Sequence, residues 1–355
     1  MVQVGVFDVV NILQFVHEHK TQLEEFAGTL VMEELACLEH ITEALCVEYV
    51  MEVNRTAVGM LKNLRTVEEP EIDEDGLCSS ELPNDLFKIV WENTEFAQSS
   101  QSRRLVVRTV SGALVPAIRT WLDKFAAVMH DEGLNSDLEY LCCVLNNVER
   151  CFQFGANFEE DMAQKLEDDE LCAQLFWDQV DTAFARLAKT VSAELCGIVY
   201  DDLQESIAFV SRPLWVEDSM INKVLDTVVD FFEDMQSWMM PRPFQKVVTN
   251  VLTQLSGEYL KELLTLRKHK SKFLSSIKFS AKAADQRYGT AEFIDNDLER
   301  MTEVFSRYLR EQVVCRRLLD ISKISKLYAC SISDFTARLC LCSGSCALLA
   351  LLKRT

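Results

Sequence analysis

Apolar residues recur at helical spacing along almost the whole chain, and only 11 Gly and 6 Pro interrupt its 355 residues. Long helices need turn residues only at their ends, whereas β-rich folds need them about every ten positions. The scarcity of breakers therefore predicts an all-α protein, an elongated stack of antiparallel helical bundles. No convincing run of alternating strand pattern is present. Hydrophobic residues make up 48% of the chain, enough for packed cores in about two to three domains. The 26% that are charged are dispersed among the apolar ones, which excludes a wholly disordered chain.

The pattern predicts a first helix over Phe7 to Phe26 and, after Gly28, a long second helix capped by Thr29. The stripe of the second helix is Leu38, Ile41, Leu45, Tyr49, Val53, Met60 and Leu64. Residues 1–66 form a first helical segment. Residues 67–83, VEEPEIDEDGLCSSELP, carry two prolines, a glycine and dense acid. They read as a solvated, mobile linker, with an acidic docking motif as the alternative. An acidic helical bundle is expected over 84–240, with helices at Asn84 to Ser100, at Ser102 to Asp131 kinked by Pro116, and at Ser136 to Phe154. One unbroken helix from Asp168 to Ser211 would extend about 60 Å. Arg212-Pro213 ends it, and a helix at Glu217 to Met239 follows. Past the break at Pro241-Arg242-Pro243, a basic-leaning bundle over 241–330 holds helices at Phe244 to Leu266, Ser271 to Arg287, Glu292 to Tyr308 and Glu311 to Cys330. Residues 331–355 form an atypical tail ending RLCLCSGSCALLALLKRT. Its apolar run is shorter than the roughly 18 residues of a membrane span. It reads as an atypical end, with an acylated membrane-facing tail as the alternative.

The net charge of −20 argues against nucleic acid as a partner, because phosphate neutralisation needs a basic surface. The charge is also divided. Up to Met240 there are 16 Lys/Arg against 45 Asp/Glu, and from Pro241 onward 20 against 11. The basic excess concentrates at Arg267, Lys268, Lys270, Lys272, Lys278 and Lys282, the candidate contact for an acidic partner or an anionic membrane surface, with a solvated helix face as the plainer reading.

Chemistry is harder to find. There is no G-x-G-x-x-G or Walker loop to cradle phosphate, no G-x-S-x-G elbow, no H-E-x-x-H pair and no C-x-x-C. His17 and His19 fall about 200° apart on a helix and cannot share a metal. Cys340, Cys342 and Cys346 are a weak zinc-like trio without a fourth ligand. The acids at Glu159-Glu160 and Asp168-Asp169-Glu170 sit beside helix starts, where the macrodipole accounts for them. The 13 cysteines are odd in number and scattered through apolar helices, so they read as reduced, buried thiols. The N-terminus lacks the features of a signal peptide, and the sequon Asn54-Arg55-Thr56 reads as a chance match within a helix. No cofactor and no catalytic group is expected.

Several collinear motifs carry a resemblance. Leu82-Pro83-Asn84-Asp85-Leu86-Phe87 followed by SQSRRLVVRTV and Trp121, then Leu141-Cys142-Cys143-Val144-Leu145-Asn146-Asn147 with Cys151, then Gly257-Glu258-Tyr259-Leu260 and Ile294 to Leu309, together resemble the exocyst complex component 3, or Sec-six, family in its C-terminal half. The resemblance covers most of Phe7 to Tyr328 and departs in the tail. It implies a rod-like, non-enzymatic tethering subunit, cytoplasmic and peripheral at vesicle docking sites on the plasma membrane. Its partners are then other exocyst subunits and SNARE proteins or their regulators. Leu82, Pro83, Asp85, Leu86, Phe87, Asn146 and Asn147 are the motif residues expected to serve structure. Family members begin with a helical region that joins the complex core and has no counterpart here, so either a partial chain or the loss of that segment is expected. A paralogue acting outside the complex in membrane remodelling is the alternative function, and an all-α enzyme is the remote one.

Overall fold

The computed structural model describes the backbone of residues 6–26, 32–64, 70–131, 133–208, 220–274 and 281–329. Thr29, Arg212-Pro213, Lys278 and the tail therefore lie outside the described residues. Among the described residues the protein is all-α apart from one short hairpin. Its helices are α1 (Val6–Phe26), α2 (Met32–Asn63), α3 (Leu82–Gln98), α4 (Arg103–Thr109), α5 (Val115–Asp131), α6 (Leu138–Leu166), α7 (Asp169–Ala173), α8 (Asp178–Ile207), α9 (Met220–Trp238), α10 (Pro241–Leu274), α11 (Ala281–Phe305) and α12 (Glu311–Ala329). The chain divides into two compact units, one of residues 1–195 with 235–243, the other of residues 196–234 with 244–355.

In the first unit α2 packs on α1, α5 and the segment before α5, while α6 packs on α3 and on the hairpin. The core holds Tyr49, Leu86, Leu105, Leu114, Ile118, Leu141, Phe158 and Phe184. Between α4 and α5 the residues Val110–Leu114 widen to a π-helical turn. Pro116 is the cause that sequence offers, since it lacks the N–H that would continue the α ladder. The half-buried Asn54 of α2 donates to the Ala113 carbonyl at 2.8 Å and so satisfies one acceptor of that turn. Gly112 lets the two elements approach, because a Cβ there would lie 3.0 Å from Val50. The stretch Arg103–Asp131 is long and apolar enough to cross a membrane, but 67% of its apolar window is buried inside the protein.

The unbroken helix expected from Asp168 to Ser211 is not formed. Asp168 caps α7 by accepting from the Glu170 and Leu171 amides, as an acidic helix start should. The chain then breaks at Phe176, which takes φ 54°, and restarts as α8. Packing explains the break. Trp177 is 2% exposed, with its ring 4.7 Å from Phe158 and 6.0 Å from Phe87. Continuing the helix would carry that indole away from its aromatic neighbours, so tertiary contact overrides local propensity. Similarly, α6 runs twelve residues past the expected end at Phe154, α10 takes in the start of the helix expected at Ser271 to Arg287 by running to Leu274, and the end of that expected helix is continuous with the one expected at Glu292 to Tyr308 in α11, Ala281–Phe305.

In the second unit Phe232 is fully buried, edge-on to Phe244, Phe305 and Tyr308 at centroid distances of 6.0, 5.8 and 5.2 Å. The short link Ser306 to Arg310 joins α11 and α12 into a helical hairpin. Two polar ties cross this core. The Tyr259 hydroxyl donates to Asp297 at 2.7 Å, and burial, then the charge of Asp297, pushes the Tyr259 hydroxyl up so that it keeps its proton. Ser325 donates to Asp295 at 2.6 Å.

Two glycines predict opposite outcomes. Gly155 of α6 faces Trp177, and a Cβ there would stand 2.9 Å from the indole nitrogen. Gly155→Ala gains about 1 kcal/mol of helix propensity but costs about 1–3 kcal/mol in overpacking, so net destabilisation is expected. At Gly257 of α10 nothing lies within 4 Å, and Gly257→Ala is expected to stabilise by about 1 kcal/mol. Urea midpoints of the two variants should move in opposite directions from wild type.

Candidate functional site

The acidic stretch that reads as a mobile linker is, from Pro70 onward, an ordered hairpin. Strand β1 (Glu71–Ile72) pairs antiparallel with β2 (Cys78–Ser79), a pairing too short for alternation to show in the sequence. Its turn is built by Asp73, whose carboxylate accepts from the Asp75 and Leu77 amides at 3.1 and 2.9 Å, while Gly76 takes φ 83°. The other carboxylate oxygen of Asp73 meets Arg150 of α6 at 2.7 Å. Burial acts to raise the Asp73 carboxyl, but the Leu77 amide, the Arg150 guanidinium and the Asp75 amide outweigh it and hold it below its ordinary value. This tie therefore contributes stability above the unfolded value and loses it as the pH falls through the lower folded one.

The motif residues converge on this hairpin. Asn146 is fully buried. Its amide donates to the Cys78 carbonyl of β2 and to the Trp238 carbonyl at the end of α9, both at 2.7 Å, and its oxygen accepts from the Met240 amide at 2.8 Å. One side chain thus joins strand, helix end and helix start within the first unit, where Met239 and Met240 separate α9 from α10. Asn147 closes a reciprocal pair with Ser80, donating to its hydroxyl at 2.9 Å and accepting from its amide at 3.2 Å. Leu82, Pro83, Leu86 and Phe87 form the buried face of α3's first turns, Pro83 sitting where helices lack an N–H partner. Phe87 meets Phe154 edge-on at 5.4 Å. Asp85 is exposed in the first turn, where the helix dipole favours it.

The basic candidates belong to the second unit. Arg267, Lys268, Lys270 and Lys272 occupy the last turns of α10 and Lys282 the first turn of α11, on separate helices of the second unit. Sequence reasoning missed Asp73, Ser80 and Arg150 as partners of the asparagines' hairpin. Asp73 with Gly76 three residues on was the available turn signal. The eight cysteines whose side chains are described are all free, and six are buried. Burial pushes the Cys78 thiol up to about 11 and Cys196 up to about 12, so these thiols stay protonated and unreactive.

The family described as "Exocyst complex component Sec6" matches residues 8–338. This chain belongs to the Sec6 family. Among curated proteins it is similar to exocyst complex component sec6 of Schizosaccharomyces pombe (strain 972 / ATCC 24843), at 22% identity over 212 residues. That match covers 55% of this chain and 27% of the fission yeast protein, so the chain spans only part of its relative's length. Among solved structures it resembles the C-terminal domain of the exocyst subunit Sec6p, with a TM-score of 0.62 and 15% identity over 88% of this chain and 81% of that one. The Sec6 fold and the all-α reading therefore agree.

Proposed function

We propose that this Sec6-family chain acts as a non-enzymatic subunit of the exocyst, holding other subunits and SNARE machinery while secretory vesicles dock at the plasma membrane. The family match over residues 8–338 carries this reading. The polar networks described above support it as well: the buried side chains of Asn146, Asn147 and Tyr259 are spent on joining elements of the fold. Contact with an anionic membrane surface or an acidic partner is assigned to Arg267, Lys268, Lys270, Lys272, Lys278 and Lys282, in the part of the chain where basic residues outnumber acidic ones.

The test is affinity purification of the tagged chain from its own cells with quantitative mass spectrometry. Other exocyst subunits are expected in amounts comparable to the bait. Recovery of none, with the chain soluble and intact, would overturn the assignment in favour of a paralogue working outside the complex.

A further inference from the structure

Among the described residues, ten large hydrophobic side chains are exposed, and seven of them lie on α1 and α2. On α2 they are Ile41, Val47, Met51 and Met60, of which Val47 and Met51 share one row. Cys46, Tyr49, Val53, Ala57 and Leu61 form an inward row that is buried in the first unit. A second row, Ala44, Val47, Met51, Asn54 and Val58, repeats at spacings of three and four; Ala44, Val47 and Met51 face outward, Val47 50% and Met51 62% exposed, while Asn54 and Val58 are half-buried and Asn54 bonds to the Ala113 carbonyl. A three-four alternation is the seam by which one helix receives the knobs of another. A helix with two such rows is built to be packed on both sides, and among the described residues the stretch of the second row at Ala44, Val47 and Met51 is left exposed.

The second row borders a groove. Met51, Asn54, Val58 and Gly59 line it from α2, with Gly112 and Pro116 opposite, enclosing about 620 Å³ open to solvent. Gly59 has nothing within 4 Å of where a Cβ would stand, which leaves room for an incoming side chain. The charged residues lining the groove, Arg55 and Lys62, are both basic, in a region where acids outnumber bases 45 to 16. Arg55 pairs with Glu52 at 2.7 Å, but both are well exposed, and an exposed pair of this kind exchanges partners at little cost.

We infer that the outward face of α2 is a docking site for an amphipathic helix of a partner protein, with apolar residues at heptad spacing and acidic residues flanking them. The row from Ala44 to Val58 is about 21 Å long at 1.5 Å per residue, so it seats about four turns of partner helix. Arg55 and Lys62 select acidic flanks and set the direction in which the helix lies. The inference rests on the tethering role above and names the chemistry of one partner for it.

The experiment uses the full chain and fluorescein-labelled synthetic helices of four turns, with Leu at both heptad core positions and either Glu or Lys at the flanking ones, read by fluorescence anisotropy. The Glu peptide is expected to bind at least about tenfold more tightly than the Lys peptide. The double variant Arg55→Glu with Lys62→Glu should invert that preference, and Met51→Glu should abolish binding of both. All three substituted residues are exposed, so thermal melts should match wild type. Equal binding of the two peptides, no binding of either, or a preference that the double variant leaves unchanged would overturn the proposal. Self-association of the wild type that Met51→Glu abolishes would assign the face to a second copy and overturn it equally. Co-purification with exocyst subunits reads the tethering role separately: a wild-type chain that recovers them yet binds neither peptide sinks the groove alone.

Discussion

Replacing Asn146 and Asn147 together with Ala should destabilise the first unit by about 3–5 kcal/mol, because each buried polar group left without a partner costs about 1–3 kcal/mol. The groups abandoned are the Cys78 and Trp238 carbonyls, the Met240 amide, and the amide and hydroxyl of Ser80. Several are only half-buried, so water entering the space of the lost side chains offsets part of the loss. The two deletions act on one network and will not add as independent sites. Urea unfolding should show the drop in midpoint. Hydrogen exchange should quicken at Glu71 to Ser80 and at Met240 before it quickens in α5. Asn84→Ala is the control: Asn84 is exposed and bonds only to nearby Glu81 at 2.8 Å, so its removal should change stability by less than about 0.5 kcal/mol. A double variant that kept its midpoint and lost a binding partner would place the pair in an interface instead.

That network also marks the limit of what the sequence discloses. An Asn pair within an apolar helix announces that something polar must meet it, since a buried amide without partners is costly. It does not say what. The partners are backbone groups 68 and 92 residues away for Asn146, and backbone carbonyls carry no residue-type signal. The hairpin was illegible for the same reason. Two-residue strands cannot display alternation, and a dense run of acid is what a solvated linker looks like until Arg150 is known to face Asp73.

Helices were legible wherever apolar periodicity met a local stop. Asp168 as a cap, Pro241 as a first helical residue and Glu311 as an acidic start lie within a few residues of where the pattern puts them. The failures cluster where a distant contact decides. No proline, and no glycine before Gly197, interrupts the stretch from Asp168 to Ser211, and the chain nonetheless turns at Phe176 because Trp177 packs on Phe158 and Phe87. Conversely, the pattern ends one helix at Arg287 and starts the next at Glu292, yet α11 passes through both. Of the candidate functional residues, charge counting could find the basic run, but the groove on α2 needed burial: only the structure separates the row at Cys46, Tyr49 and Val53 from the equally apolar row at Val47 and Met51.

Reversing Lys268, Lys270 and Lys272 to Glu should weaken binding to anionic vesicles more than about a hundredfold. Each basic residue near an anionic leaflet contributes about 1 kcal/mol, and 1.4 kcal/mol is a factor of ten, so losing three positive charges alone removes about 3 kcal/mol before the repulsion of three new carboxylates is counted. The acidic excess preceding Met240 does not cancel this attraction, since exposed charges are screened beyond about 8 Å at physiological ionic strength. The three lysines fall on the last turns of α10, where cations are favoured by the helix dipole, so their reversal carries a small helix penalty of about 0.3–1 kcal/mol each. Circular dichroism of the variant checks that this stays local. Co-sedimentation with vesicles containing phosphatidylserine, across a salt series, is the measurement. Wild type should bind with steep salt dependence and the triple variant should not bind measurably. If the two proteins bind alike at every salt concentration, the run is a solvated face. If neither binds vesicles but wild type alone binds an acidic peptide, the anion it meets belongs to a protein.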